Sequence, residues 1–238
     1  MDSLSQFNRG AAGAAQARFD AGLRRYLLGV YRNMGIGLAV TGLVAAGVAS
    51  VPALTALIFG TPLKWVAMLA PLAFIFFFTF RVDRMTAAGA RMAFFAFAGV
   101  MGVSMASIFL VFTGTSIAMA FFAAAAMFAG LSLWGYTTGR DLSRMGNFLM
   151  IGLLVVIGVS LVNLLIGSSM LQTLLSIAGV VVFAGLTAWD TQRLKSEYLA
   201  YAGTQAIDKL QVMGALSLYL NLINLFQLLL GLLGQQEE

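Results

Sequence analysis

Gly185-Leu186-Thr187-Ala188-Trp189-Asp190-Thr191-Gln192-Arg193-Leu194-Lys195 is the stretch that decides the fold. The sixth long apolar run of the chain ends here on a carboxylate, Asp190, three residues before the first cation. An aspartate that close to hydrocarbon is expensive, so it is paired, neutralised or turned toward a wet cavity. The rest of the chain reads as a helical bundle built around that group.

Working outward, the composition sets the class. The chain has 238 residues, 61% of them hydrophobic and 10% charged, with a mean hydropathy of +0.93. A soluble domain of this size needs more charge on its surface, so the sequence implies an all-α integral membrane protein, with the lipid bilayer as its first partner. The absence of Cys excludes disulfides, thiolate zinc sites and thiol nucleophiles. The absence of His removes Ser-His catalysis and imidazole-held metals or haem, leaving carboxylates as the groups able to sense protons. No serine in a Gly-x-Ser-Gly setting offers a nucleophile, and no base accompanies one, so an enzyme is not expected and no cofactor is required. The seventh run lacks the lysine a retinal Schiff base needs; Lys209 lies only at its mouth. The net charge of +5 is spread between apolar runs, which fits orientation in a bilayer and not nucleic-acid binding.

Seven apolar runs lie at about 29–50, 63–80, 93–112, 115–136, 145–166, 170–190 and 211–233, each long enough to span as a helix. Thr113-Gly114 and Gly167-Ser168-Ser169 read as tight turns between antiparallel helices. Residues 1–25 read as a mobile polar tail without a signal-peptide core, 26–234 as one seven-helix membrane domain, and 235–238 as a short acidic tail. Thirteen of the fourteen basic residues fall on one side of the seven spans, with only Lys64 on the other. That alternation predicts a cytoplasmic N-terminus and an outside C-terminus. Ala98, Gly102 and Ala106 recur every four residues, as do Ala126 and Gly130, and such spacing lets helix backbones approach closely. Phe94, Phe95, Phe97 and the Phe74 to Phe78 cluster read as packing or lipid-facing residues.

Polar residues inside the spans are few. Ser217, Asn221 and Asn224 form one stripe on the seventh run, continued by Gly214. Interhelical hydrogen bonding alone accounts for Ser217 and Asn224, as it does for Asn163, Ser104 and Ser107. Asp190 admits two readings. It is an interfacial carboxylate paired with Arg193 one turn away, or it is a functional group facing the seventh-run stripe. The usual role of intramembrane ionisable groups as pathway markers favours the second.

Ala188-Trp189-Asp190-Thr191-Gln192, together with Leu218-Tyr219-Leu220-Asn221-Leu222-Ile223-Asn224-Leu225-Phe226, closely resembles the signature of the Bax inhibitor-1 (transmembrane Bax inhibitor motif) family. Gly139-Arg140-Asp141-Leu142-Ser143 is similar to that family as well. The resemblance covers about residues 20 to 234, and the short acidic tail is closer to prokaryotic members. It implies a seven-helix membrane fold, in a bacterial inner membrane, acting as a pH-sensitive calcium leak. It also implies a proton-sharing pair of aspartates, one on each of the last two helices, the first falling at Asp190. Arg81 looks like a basic residue that some members place near that aspartate. Some bacterial relatives are similar to modulators of a membrane-bound AAA protease, which is a second possible role. The residues leave the oligomeric state open.

The second aspartate position departs from the family pattern, because this chain carries Asn221. Two neighbouring carboxylates share a proton; an amide has none to share. Asn221 can hydrogen-bond Asp190 in either protonation state, so the expected outcome is a blunted pH response. Calcium binding at Asp190 should weaken too, one anionic ligand having become neutral.

Overall fold

The computed structural model describes the backbone of residues 2–235 and the side chains of residues 20–235. Arg9 and Arg18, two of the thirteen basic residues on one side of the spans, lie outside the described side chains, as does most of the acidic tail.

Nine α-helices make up the described fold: α1 (Asp2–Ala49), α2 (Pro52–Phe59), α3 (Leu63–Arg81), α4 (Ala87–Met105), α5 (Ile108–Val111), α6 (Gly114–Thr137), α7 (Ser143–Ile166), α8 (Ser169–Tyr201) and α9 (Ala206–Leu233). Among the described residues there is no strand. Seven segments of the described residues are long and apolar enough to cross a bilayer, the first being Asp20–Ala49 within α1 and the third joining α4 to α5. The chain is a multi-pass membrane protein. Leu23 and Tyr26 are buried in the core, so the bundle takes in residues from before position 26.

Caps fix several helix starts. Thr86 accepts from the Gly89 amide, Thr113 from Ser116 and Ser168 from Leu171, each serving an amide that the first helical turn leaves without a partner. The α7–α8 turn closes through Gly167, whose φ of +69° is the left-handed conformation that ends helices most easily with glycine.

Two boundaries differ from the sequence reading in ways that matter. The sixth span continues as helix to Tyr201 instead of ending at Asp190, because the polar residues after Asp190 are themselves good helix formers. The third span breaks at Ala106–Ser107 and resumes as α5. A short helix, α2, also occupies the first connection, with none of its residues buried.

Helix α9 is the hub. It packs against α1, α4, α6 and α8, and 56% of its spanning window is buried, against 11% for α3 and α7. Small residues permit the tight crossings. Gly102 leaves room for the Thr41 carbonyl and Val44 of α1, and Ala98 and Ala106 on the same face are fully buried. The Ala126/Gly130 pair does not behave this way: both face outward, and the inward stripe of α6 is Ser116, Ala120, Ala124, Phe128 and Ser132. On a helix, positions 126 and 130 lie roughly opposite 124 and 128, so the spacing was right and the face was wrong.

Candidate functional site

The site lies on the α8–α9 seam. Asn221 is fifteen residues from the start of α9 and twelve from its end, or about 22 Å and about 18 Å at 1.5 Å per residue. It therefore sits near mid-height of the helix, inside a hydrocarbon core about 30 Å thick. Asp190 lies beside it, 3% exposed. The extension of α8 to Tyr201 is what carries the carboxylate to this depth and away from the rim of the bundle.

Asp190 Oδ2 accepts hydrogen bonds from Asn221 Nδ2 at 2.7 Å and Ser217 Oγ at 2.9 Å. Its Oδ1 lies 3.0 Å from Arg193 Nη2, an ion pair by distance that lacks the alignment of a hydrogen bond. Arg193 reaches further: Nε lies 3.2 Å from Glu197 Oε1, Nη2 donates to Ser217 Oγ at 3.4 Å, and the guanidinium stacks over Trp189 at 4.9 Å. Beyond Arg193 a cleft of about 640 Å³ opens, lined by Asp83, Arg193, Glu197, Lys209 and Ser217 among others. Lys209 Nζ donates to the Asp83 backbone carbonyl at 3.0 Å.

The residues around Asp190 are each committed to a different neighbour. Ala188 lies against Gly135 so closely that a Cβ there would strike its carbonyl, and Trp189 covers Gly146 of α7 in the same way. Thr191 pairs with Ser132 of α6 at 3.2 Å. Gln192 accepts from the Leu142 amide and donates to the Arg140 carbonyl, both at 2.8 Å, clipping the α6–α7 loop to α8. One turn of helix thus locks α6, α7, their loop and α9 around the carboxylate.

The profile of the family described as "Inhibitor of apoptosis-promoting Bax1" matches residues 23–238. The chain belongs to the Bax inhibitor-1 family. It is 43% identical to an uncharacterized protein of Rickettsia prowazekii, with 92% of this chain and 93% of the relative covered. It is 40% identical to an uncharacterized protein of Caulobacter vibrioides, with 99% and 100% covered. The inner membrane protein YbhL of Escherichia coli is 38% identical, with 91% and 94% covered.

Within this Bax inhibitor-1 protein the residues singled out from sequence divide into three groups. Asp190, Asn221 and Ser217 meet in one cluster. Asn224 turns back on its own helix, donating to the Leu220 carbonyl at 2.7 Å. Asn163 caps the far end of the α7–α8 hairpin, donating to the Ser168 carbonyl and Gln172 and accepting from the Ser168 amide. Arg81 is exposed, its guanidinium 6.0 Å from the Phe77 ring; the cation at Asp190 is Arg193 of the same helix. Among the described residues no three acidic side chains converge as a metal-holding group.

The sequence reading missed Glu197 and Thr41, and gave no contact to Gln192 or Tyr219 although both stand in the motifs quoted above. Glu197 was visible in principle, since 190, 193 and 197 follow the i, i+3, i+7 rhythm of one helix face, once the helix is allowed to continue.

Proposed function

We propose that this Bax inhibitor-1 family protein is a calcium (cation) leak of the bacterial inner membrane, with Asp190 as the group that ions and protons must pass. The observation that carries this reading is a buried carboxylate on α8, level with the middle of the central helix α9 and just behind a cleft that charged side chains line. A charge at that depth is costly unless function requires it. Calcium enters as the permeant ion and not as a resident one. The basic loops favour a cytoplasmic N-terminus and an outside C-terminus, which turns the cleft toward the cytoplasm. A relative bearing the name inner membrane protein supports the location.

The pH response follows from the groups facing Asp190. Arg193 and Glu197 flank it on α8, Ser217 and Asn221 face it from α9, and Asp83 and Lys209 line the cleft below. Protonating Asp190 removes the charge that holds Arg193. With Asn221 in place of a second carboxylate, no proton is shared across the seam, so the pH response is blunted.

Calcium flux into dye-loaded proteoliposomes, measured across pH for the wild type and Asp190→Asn, tests the reading. A fall in flux and a flattened pH profile in the variant are expected. Equal flux with an equal profile, or no flux above empty liposomes in either protein, would overturn it. Deleting residues 1–20 should leave a leak intact, whereas a tail-mediated regulator of a protease would lose its role.

A further inference from the structure

We propose that Arg193 is a tethered cation that fills the permeant ion's place at Asp190 and controls access to it, with Glu197 as its second resting place. What the ion does next rests on the leak reading above; the movement of the side chain does not.

The bonding around Asp190 is lopsided. Oδ2 is served by two aligned donors, while Oδ1 is buried with no aligned hydrogen bond and has only the guanidinium beside it. A settled arginine–carboxylate pair is commonly bidentate, with two parallel N–H bonds. Arg193 makes neither pairing that way: one nitrogen approaches Asp190, another approaches Glu197, and Nε has no aligned hydrogen-bond partner either. The guanidinium is spread between two carboxylates and fully engaged by neither. Its remaining supports are a long contact to Ser217 and the Trp189 face, both compatible with a shift of a few ångström.

Position and charge complete the argument. The Arg193 side chain is 33% exposed at the cleft, while that of Asp190 behind it is 5% exposed. Asp190 and Glu197 lie one turn to either side of Arg193 on α8, so exchange between them requires rotamer changes and no movement of a helix. Two carboxylates and one guanidinium leave a single negative charge at the head of the cleft. On the opposite wall Asp83 and Lys209 cancel in formal charge. Cations are therefore drawn in while Arg193 is in place, and anions are disfavoured whether it is in place or not.

The natural chain has no cysteine, so one introduced thiol is a clean reporter. In Ser217→Cys protein in proteoliposomes, the labelling rate with a neutral, water-soluble thiol reagent reads how far Arg193 covers the cleft wall beside Asp190. Adding Arg193→Gln is expected to raise the rate on the order of tenfold, equivalent to removing about 1.4 kcal/mol of closure. Adding Glu197→Gln should lower it several-fold, since Arg193 then has Asp190 alone. Arg193→Lys should fall between wild type and Arg193→Gln. A thiol at Ala120→Cys, buried away from the cleft, should label equally slowly in every background; a general rise there would mean that Arg193 merely holds the fold and would sink the proposal. Labelling of Ser217→Cys that ignores both Arg193→Gln and Glu197→Gln overturns it as well. Flux on the same vesicles separates the two ideas. Rates that shift as expected without any calcium leak would refute the function and leave the movable arginine standing.

Discussion

Tyr219 and Asn221 are two residues apart on α9 and point to nearly opposite sides of it, as a step of about 200° requires. On one side the Tyr219 hydroxyl meets Thr41 Oγ1 at 2.6 Å, Thr41 also reaches the Ala98 carbonyl at 2.9 Å, and Phe94 and Phe97 stack edge-on against the ring at 5.5 and 5.9 Å. That cluster is neutral, fully buried and bonded to completion. On the other side Asn221 and Ser217 hold a carboxylate whose second oxygen is poorly matched, next to a half-engaged arginine and a cleft. Both clusters are polar and both join helices. What separates a joint from a site is spare bonding capacity with a route to water; polarity alone does not distinguish them.

The largest expected effect breaks the comparison at its charged side. Asp190→Asn leaves Arg193 and Glu197 to cancel in formal charge, so the net negative charge that draws cations in is gone; flux should drop by about tenfold, the result of losing a charged contact worth about 1.4 kcal/mol. Tyr219→Phe in the same assay should stay within about twofold, because its hydroxyl is bonded away from the seam. If the two variants leak alike, the distinction between the faces is wrong. Next comes Asn221→Asp, which restores a second carboxylate across from Asp190. Its flux should gain a pH response nearer neutrality that the wild type lacks, as one acid of a close pair is hard to ionise.

Stability sharpens the neutral side. Thr41→Val strands the Tyr219 hydroxyl in the core and should cost about 1–3 kcal/mol in a denaturant or thermal-shift measurement. Tyr219→Phe itself should cost only about 0.6 kcal/mol, since Thr41 keeps its backbone carbonyls. The smallest effect lies at Asp141 in the α6–α7 loop, where hydrogen bonds from Ser143 hold the carboxylate below its usual range. A depressed folded-state value stabilises the loop at pH above the unfolded value, and that stabilisation fades as pH falls through the folded one. Asp141→Asn should therefore alter hydrogen exchange of the loop at neutral pH and not below the acid transition, leaving the neutral-range pH response of flux untouched.

Much of this was legible in advance. The seven spans, the turns at Thr113-Gly114 and Gly167-Ser168-Ser169, and Asp190 facing Ser217 and Asn221 of the seventh span follow from hydropathy and helical spacing, while Asn224 of the same stripe bonds its own helix instead. Depth was not legible, because a hydropathy run ends where polarity begins even when the helix continues, and α8 runs eleven residues past Asp190. Facing was only partly legible: α6 is apolar on every side, so nothing in Ala126 and Gly130 says which way they turn. The Thr41–Tyr219 bond links residues 178 positions apart, and no local pattern announces such a partner.

The short helix α2 has a mechanical meaning. Its sequence, Pro-Ala-Leu-Thr-Ala-Leu-Ile-Phe, is apolar but for Thr55, and it rests against α1 and α3 with none of its residues buried, so its outward face suits lipid. It joins the C-terminal end of α1 to the N-terminal end of α3. A shift of either helix along the membrane normal therefore has to carry this apolar segment with it.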